Sequence, residues 1–151
     1  MRLLLSWIGT TDLEKLGYAG AIFDIIKDCE IEKAIFLYDN VRSNRLIEAR
    51  QFLPNLKKNY PNVHMHTKRT HIDNPSDLDS IYEATQALLK CHHKSDVFIN
   101  LSSGSGCMCA AWVLAIERIC KDRIPTLIET SPRNGTRIMK SPFKVSTNTI
   151  Q

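Results

Sequence analysis

The sequence predicts an α/β fold, in which a mainly parallel sheet carries helices on both faces and ends in a C-terminal hairpin or edge strand. Short apolar runs of strand length alternate with longer segments whose apolar residues recur at helical spacing, in the order βαβαβαβαβ. Parallel strands that are buried on both faces have continuous apolar sequences, and the first two runs have that composition. The predicted fold class is therefore Rossmann-like and doubly wound.

The predicted strands are short and bounded by turn residues. They are expected at residues 2–9, 33–39, 63–68, 96–101 and 125–131. The first is apolar and stops at Gly-Thr-Thr, the second reads Lys-Ala-Ile-Phe-Leu-Tyr-Asp, and the third alternates with period two. A terminal hairpin or edge strand is expected at 135–145, where Pro142 interrupts it.

The predicted helices follow from apolar residues spaced three and four apart. They are expected at residues 16–29, 43–60, 75–89 and 107–120. Ser43 is the expected N-cap of the second helix, and Pro54 inside it is expected to kink or split it. The third opens on Pro75-Ser76-Asp77, which is a typical helix start.

Composition indicates one soluble domain that spans residues 1–151. Hydrophobic residues make up 43% and charged residues 24% of the chain, which is enough for a substantial core. The longest apolar run, 107–116, is about half of the ~20 residues that a membrane span needs, and no secretory signal is visible. The net charge of +4 permits an anionic ligand but lacks the dense basic footprint of duplex-DNA binders. Five cysteines without a CxxC pair favour free thiols in the cytoplasm.

Two loops at the carboxyl ends of predicted strands have the composition of a ligand site, because ligands bind at that edge of an open parallel sheet. Gly9-Thr10-Thr11-Asp12 follows the first strand, and Ser102-Ser103-Gly104-Ser105-Gly106 follows the fourth. The second loop combines glycines and hydroxyls at a helix N-terminus, which favours a phosphate; a tightly packed turn is the alternative. Neither loop matches a Walker A or a dinucleotide fingerprint.

Polar residues after the second and third strands are further candidates. Asn40 and Arg42 are placed to reach a nucleotide, with turn and cap roles as the simpler alternative, and Arg69, His71 and Asp73 are placed to border the same cleft. No His or Cys spacing matches a zinc site, and no nucleophile–base pair stands out. The sequence therefore predicts no metal, no cofactor and no catalytic group.

The fourth predicted helix is apolar all round. Residues 107–116 read Cys-Met-Cys-Ala-Ala-Trp-Val-Leu-Ala-Ile, with no polar face over almost three turns. A helix that lies on a sheet normally keeps a solvated stripe, so this one is expected to be covered on a second side. We expect a homodimer with Met108, Ala111, Trp112 and Ala115 at the interface. Burial under the chain's own C-terminal segment is the alternative.

Three segments resemble the CRISPR-associated Rossmann fold (CARF) family: 2–12 (RLLLSWIGTTD), 100–111 (NLSSGSGCMCAA) and 126–131 (TLIETS). In that family, the last strand-to-helix loop typically reads Asn-x-Ser/Thr-x-Gly-Thr/Ser before a small-residue helix. Asn100, Ser102, Gly104 and Ser105 occupy this pattern. The resemblance implies a homodimer in which the two loops of each copy bind a cyclic oligoadenylate, or a related RNA-derived cyclic-phosphate nucleotide. Thr10, Thr11 and residues 102–106 would face the ligand.

A narrower resemblance covers residues 129–137 and 142–146. This part is similar to the end of the CARF-type sensor domain of RNA-repair-related bacterial enhancer-binding transcription activators. It implies that the chain is the sensor part of a longer protein and signals to an effector or transcription-activator domain.

Two enzymatic alternatives stay open. One is a standalone ring nuclease that cleaves cyclic oligoadenylate, in which Thr10, Thr11, Ser102 and Ser105 would stabilise charge while a ribose 2′-hydroxyl attacks its own phosphate. The other is an unrelated Rossmann-like enzyme that acts on a small molecule.

Overall fold

The computed structural model describes residues 1–139, which form one six-stranded sheet with helices on both faces. The strands are β1 (Arg2–Trp7), β2 (Lys33–Tyr38), β3 (His64–Arg69), β4 (Asp96–Asn100), β5 (Thr126–Ser131) and β6 (Gly135–Ile138). The helices are α1 (Thr10–Glu14), α2 (Ala21–Asp28), α3 (Asn40–Ser43), α4 (Leu46–Asn59), α5 (Leu78–His92) and α6 (Gly106–Ile119). Within these residues, no helix has both the length and the apolar content needed to cross a bilayer.

The sheet confirms the predicted fold class. Its strand order is β3-β2-β1-β4-β5-β6, the first five strands in the sequence pair in parallel, and β6 pairs antiparallel with β5. The C-terminal hairpin is therefore present. The rest of the predicted hairpin, with Pro142, lies outside the described residues.

The winding of the chain creates a switch point between β1 and β4. The chain builds outward from β1 to β3 and then crosses back through α5 to β4 on the other side of β1. One face of the sheet packs Leu5 and Trp7 against α5 and α6, and the opposite face packs Leu4 and Phe36 against α2 and α4. The carboxyl ends of β1 and β4 therefore diverge into a crevice, where open α/β sheets bind ligands.

The first predicted helix, 16–29, corresponds to α2 alone, and a separate short helix, α1, precedes it. The α1 helix starts at Thr10, and a turn separates it from α2. In that turn, Leu16, Gly17 and Gly20 have positive φ angles. The apolar spacing predicted only α2, because α1 has five residues and is too short to show a helical period. Thr10, Thr11 and Asp12 thus lie in the first turn of a helix that directly follows β1.

The second predicted helix also begins differently. Asp39 is the N-cap of α3 and accepts a hydrogen bond from the Arg42 N–H at 2.8 Å, whereas Ser43 is the last residue of α3. Pro54 does not split the helix, since α4 continues through it, and a kink there stays a prediction. Buried Phe52 and Leu56 flank the proline and hold both turns against the sheet, which offsets the hydrogen bond that proline removes.

The apolar helix α6 is covered by α5 of the same protomer. The predicted interface residues Met108, Ala111, Trp112 and Ala115 are all 0% exposed and belong to one core with α5 side chains such as Leu88. These four side chains are already buried, so they are unavailable to a second copy, and the interface assignment is corrected. Dimerisation itself stays a prediction.

One buried hydrogen bond ties α5 to the sheet. The indole Nε1 of Trp7 donates to Thr85 Oγ1 at 3.0 Å, and both residues are 0% exposed. Thr85→Val keeps the side-chain shape but leaves the indole N–H without an acceptor, so we expect the free energy of unfolding to fall by about 1–3 kcal/mol. Urea denaturation measures this change. The control Thr67→Val, on exposed β3, should change stability by less than about 0.5 kcal/mol. Equal losses in both variants would contradict the assignment.

Candidate ligand-binding cleft

A cleft of about 570 Å³ opens at the switch point, between the carboxyl ends of β1 and β4. Most of the predicted ligand-binding residues line it: Gly9, Thr10, Thr11, Arg42, Ser102, Ser103 and Gly104. The structure thus brings together the two loops that composition singled out, although they are about ninety residues apart in the chain.

Asn100 orders the loop that follows β4. Its side chain is 0% exposed; Nδ2 donates to Ser6 Oγ at 3.0 Å and to Ser103 Oγ at 2.7 Å, and Oδ1 accepts from the Ser102 N–H at 2.8 Å. The Ser102 hydroxyl oxygen in turn accepts from the Thr130 N–H at 2.7 Å, which links the loop to β5. Because that bond uses only the oxygen, the Ser102 hydroxyl hydrogen stays available to a ligand in the cleft.

The two loops touch through their backbones. A Cβ added to Gly9 would lie 2.6 Å from the backbone nitrogen of Gly104, closer than side chains approach in real proteins. Gly104 itself has φ +97°, and a Cβ there would overlap the Met108 sulfur. Glycine at both positions is therefore a steric requirement of this cleft.

Arg42 is held at the cleft by a buried carboxylate. Its Nη1 donates to Asp39 Oδ2 at 2.8 Å, and its Nε donates to Thr10 Oγ1 at 3.2 Å. The Asp39 side chain is 0% exposed, and that of Arg42 is 12% exposed. The guanidinium is therefore fixed beside the first turn of α1, and its charge is largely compensated by Asp39.

Asp12 forms the floor of the cleft and joins three segments. It is 2% exposed; its Oδ2 accepts from the Gly9 N–H at 2.9 Å and its Oδ1 from the Ile22 N–H at 3.4 Å. Burial raises the pKa of this carboxyl, although hydrogen bonds from Ser103 and the two backbone N–H groups act in the opposite direction. Sequence analysis placed Asp12 in the candidate loop after the first strand but gave its carboxylate no role in the site.

Several lining residues were missed by sequence reasoning. They are Lys15, Gly20, Ala21, Asp24, Thr130, Ser131 and Pro132. A signal existed for Ser131 and Pro132, which lie at the carboxyl end of β5 and so meet the rule that selected the other loops. Lys15 and Asp24 had no such signal, because their positions depend on α1, which the sequence did not predict, and on the turn between α1 and α2.

Three predicted residues lie outside the cleft. The Asn40 side chain donates to Asp73 Oδ1 at 2.7 Å and accepts from Arg69 Nε at 3.1 Å. Ser105 is the N-cap of α6: its hydroxyl donates to the Pro75 carbonyl at 2.7 Å and accepts from the Met108 N–H at 3.3 Å. Gly106 is an exposed residue in the first turn of the same helix.

Asn40, Ser105 and Gly106 therefore do not line this cleft, and a ligand contact at these positions stays a prediction. The residues after β3 that were expected to border the cleft, Arg69, His71 and Asp73, do not line it either. Throughout residues 1–139, no three His, Cys, Asp or Glu side chains converge as metal ligands, and all five cysteines are free thiols.

Three solved structures have a similar fold. Csm6 from Enterococcus italicus, bound to cyclic hexa-2′-fluoro-hexa-dAMP, matches 93% of this chain with TM-score 0.70 and 20% identity. Can2 from Sulfobacillus thermosulfidooxidans, in complex with cyclic tetra-adenylate, matches 95% with TM-score 0.57 and 12% identity. Protein VC1899 from Vibrio cholerae matches 98% with TM-score 0.64 and 13% identity.

This chain corresponds to 36%, 39% and 34% of those three chains, respectively. No protein-family model matches the sequence, and no curated protein does so either. At these identities, the comparisons show a shared fold, which agrees with the six-stranded, mostly parallel sheet described above.

Substitutions of two glycines near the start of α6 are expected to have opposite effects on stability. Gly104→Ala places a side chain at a left-handed φ against Met108, so we expect a loss of about 1–3 kcal/mol in the free energy of unfolding. Gly106→Ala meets open space inside a helix and is expected to gain up to about 1 kcal/mol. Thermal and chemical denaturation of both variants test this, and a stable Gly104→Ala protein would contradict the loop geometry.

Proposed function

We propose that this chain is a CARF-type sensor domain that binds a cyclic oligoadenylate, or a related RNA-derived cyclic-phosphate nucleotide, in the cleft between β1 and β4. The observation that carries the proposal is the contact between the two loops, which gathers the hydroxyls of Thr10, Thr11 and Ser102 along one cleft. Two proteins with the same fold hold cyclic oligoadenylates in their structures, which supports this ligand class.

The charges of the cleft favour recognition by hydroxyls and backbone N–H groups. Lys15 and Arg42 are balanced in number by Asp12 and Asp24, and Arg42 is already paired with Asp39. An anionic ligand therefore gains little from net charge and depends on directed hydrogen bonds to its phosphates. Accordingly, binding is expected to depend only weakly on salt.

We propose further that the domain acts as a homodimer, with an interface on the outer surface of α6. Leu114 is 44% exposed there and lies in a groove with Leu78 and Tyr82 of α5. This surface takes the place of the four buried α6 side chains that the sequence analysis expected at the interface. The proposed output is signalling to an effector, with a transcription-activator domain as the narrower form, and a cytoplasmic location fits that role.

A ring nuclease is the second candidate. The observation that favours it is the presence of Lys15 and Arg42 in the cleft, since cations stabilise the charge of a phosphate under attack. Ser105 is not part of this proposed mechanism, because its hydroxyl donates its hydrogen to the Pro75 carbonyl. Incubating the protein with cyclic tetra- and hexa-adenylate and analysing the products separates the two functions: linear products support cleavage, and intact rings support a sensor.

Binding is tested by isothermal titration with cyclic tetra-adenylate and cyclic hexa-adenylate. We expect one of them to bind, and Ser102→Ala to weaken it about tenfold through loss of a hydrogen bond to a charged group. Ser105→Ala removes a hydroxyl from the same loop that faces away from the cleft. It should lower stability by about 1 kcal/mol and leave affinity close to wild type. Absence of heat with both rings, and with RNA ends that carry a cyclic phosphate, would overturn the proposal.

The oligomeric state is tested by analytical ultracentrifugation. Wild type is expected to sediment as a dimer, and Leu114→Lys as a monomer, because the added charge must be desolvated when the two copies associate. Ile47→Lys is the control, since Ile47 is 73% exposed on α4, on the opposite face of the sheet. A monomeric wild type would refute the dimer, and equal behaviour of both variants would refute this interface.

A further inference from the structure

Asp12 is a buried acid at the floor of a cleft that is proposed to hold an anion. Its carboxylate accepts hydrogen bonds from the Gly9 and Ile22 N–H groups, and its side chain forms part of the cleft surface. These two backbone partners hold the carboxylate in place at the cleft. A fixed negative charge at this position therefore acts directly on any phosphate in the cleft.

The carboxylate of Asp12 forms no ion pair with a cation of residues 1–139. Several titratable groups surround it. Lys15 on α1 and Asp24 on α2 line the cleft, and Arg42 on α3 forms an ion pair with Asp39. Tyr38 on β2 is close enough for the charge of Asp12 to act on it. Burial and the charge of Asp12 together raise the pKa of Tyr38 to about 12, so this phenol stays neutral.

We propose that binding of a polyanionic cyclic nucleotide in this cleft is coupled to uptake of one proton by Asp12, so that the ligand binds more tightly as the pH falls. The inference rests on the proposed function, since it requires an anion in the cleft. The proton comes from solvent and forms an O–H bond on the carboxylate, which removes the repulsion between Asp12 and the phosphates.

Backbone N–H groups hold the carboxyl of Asp12 in both protonation states. Its Oδ2 accepts from the Gly9 N–H and its Oδ1 from the Ile22 N–H. Protonation of one oxygen weakens the bond that this oxygen accepts, while the other oxygen keeps its backbone partner. The Ser103 hydroxyl, which accepts from Asn100 Nδ2 at 2.7 Å, lowers the pKa of this carboxyl and so acts against the effect of burial.

The direction of the pH effect follows from linkage. Burial already raises the pKa of Asp12 in the free protein, and a bound phosphate raises it further. Affinity is therefore constant above the pKa of the complex, rises as the pH falls between the two values, and levels off below the pKa of the free protein. Each unit of difference between the two pKa values corresponds to about a tenfold gain in affinity.

The test is isothermal titration of the wild-type protein with cyclic tetra- or hexa-adenylate in two buffers of different ionisation enthalpy, from about pH 8 to about pH 5. We expect net proton uptake and tighter binding at the lower pH. Heat that is identical in both buffers, with an affinity independent of pH, would overturn the role of Asp12 while leaving the proposed function intact. Absence of binding at every pH would instead refute the proposed function.

Substitutions of the two cleft carboxylates test which residue takes up the proton. Asp12→Asn is expected to abolish proton uptake, whereas Asp24→Asn, which removes the other cleft carboxylate, is expected to retain it. Ser103→Ala keeps the Asp12 carboxyl but removes a hydrogen bond that lowers its pKa, so the pH window should move upward. Proton uptake that persists in Asp12→Asn, or disappears in Asp24→Asn, would overturn the assignment.

A second measurement does not depend on the folding of any variant. The carboxyl carbon of Asp12 in the wild-type protein is followed by nuclear magnetic resonance across the pH range, with and without ligand. We expect its titration midpoint to rise when the ligand is bound, and an unchanged midpoint would contradict the proposal.

Discussion

The backbone of Gly9 lies against the backbone of Gly104, and the cleft depends on this contact. Strands β1 and β4 are hydrogen-bonded neighbours with Leu5 opposite Ile99, so their carboxyl ends emerge side by side. Adjacent strands are only about 5 Å apart, and the loops must diverge from that distance. Side chains at the point of divergence would push the loops apart, as the 2.6 Å approach of a Cβ at Gly9 illustrates.

Buried polar groups beneath Gly9 and Gly104 fix the positions of the two loops relative to each other. Asn100 binds Ser6 on β1 and Ser103 on its own loop, and Asp12 on α1 accepts from the Gly9 N–H. Each of these groups is almost completely buried, and a buried polar group without a partner is costly. The network is therefore stable only when both loops keep their positions, so a change at one loop is communicated to the other.

The central sheet was predictable, because β1, β2 and β4 are buried on both faces and their apolar runs record that burial. The cover over α6 was predicted only in part. Apolar residues on every side of α6 indicate a second covering layer, but they carry no information on whether the layer is α5 or another copy. The sequence could not separate Ser102 from Ser105 for a similar reason. The two residues have the same chemistry, and only the helix-capping geometry turns Ser105 away from the cleft.

The distribution of charge explains why net charge gave little information about the cleft. Helices α5 and α6 start at the carboxyl edge of the sheet and end at the opposite edge, where Lys90, His93 and Arg118 line another depression. Basic residues at helix C-termini are stabilised by the helix dipole, so this cluster has a structural reason of its own. The overall charge of +4 is thus partly located away from the cleft, whose own acids and bases balance. Recognition there depends on where hydroxyls, N–H groups and one buried carboxyl are placed, and only the folded loops determine those positions.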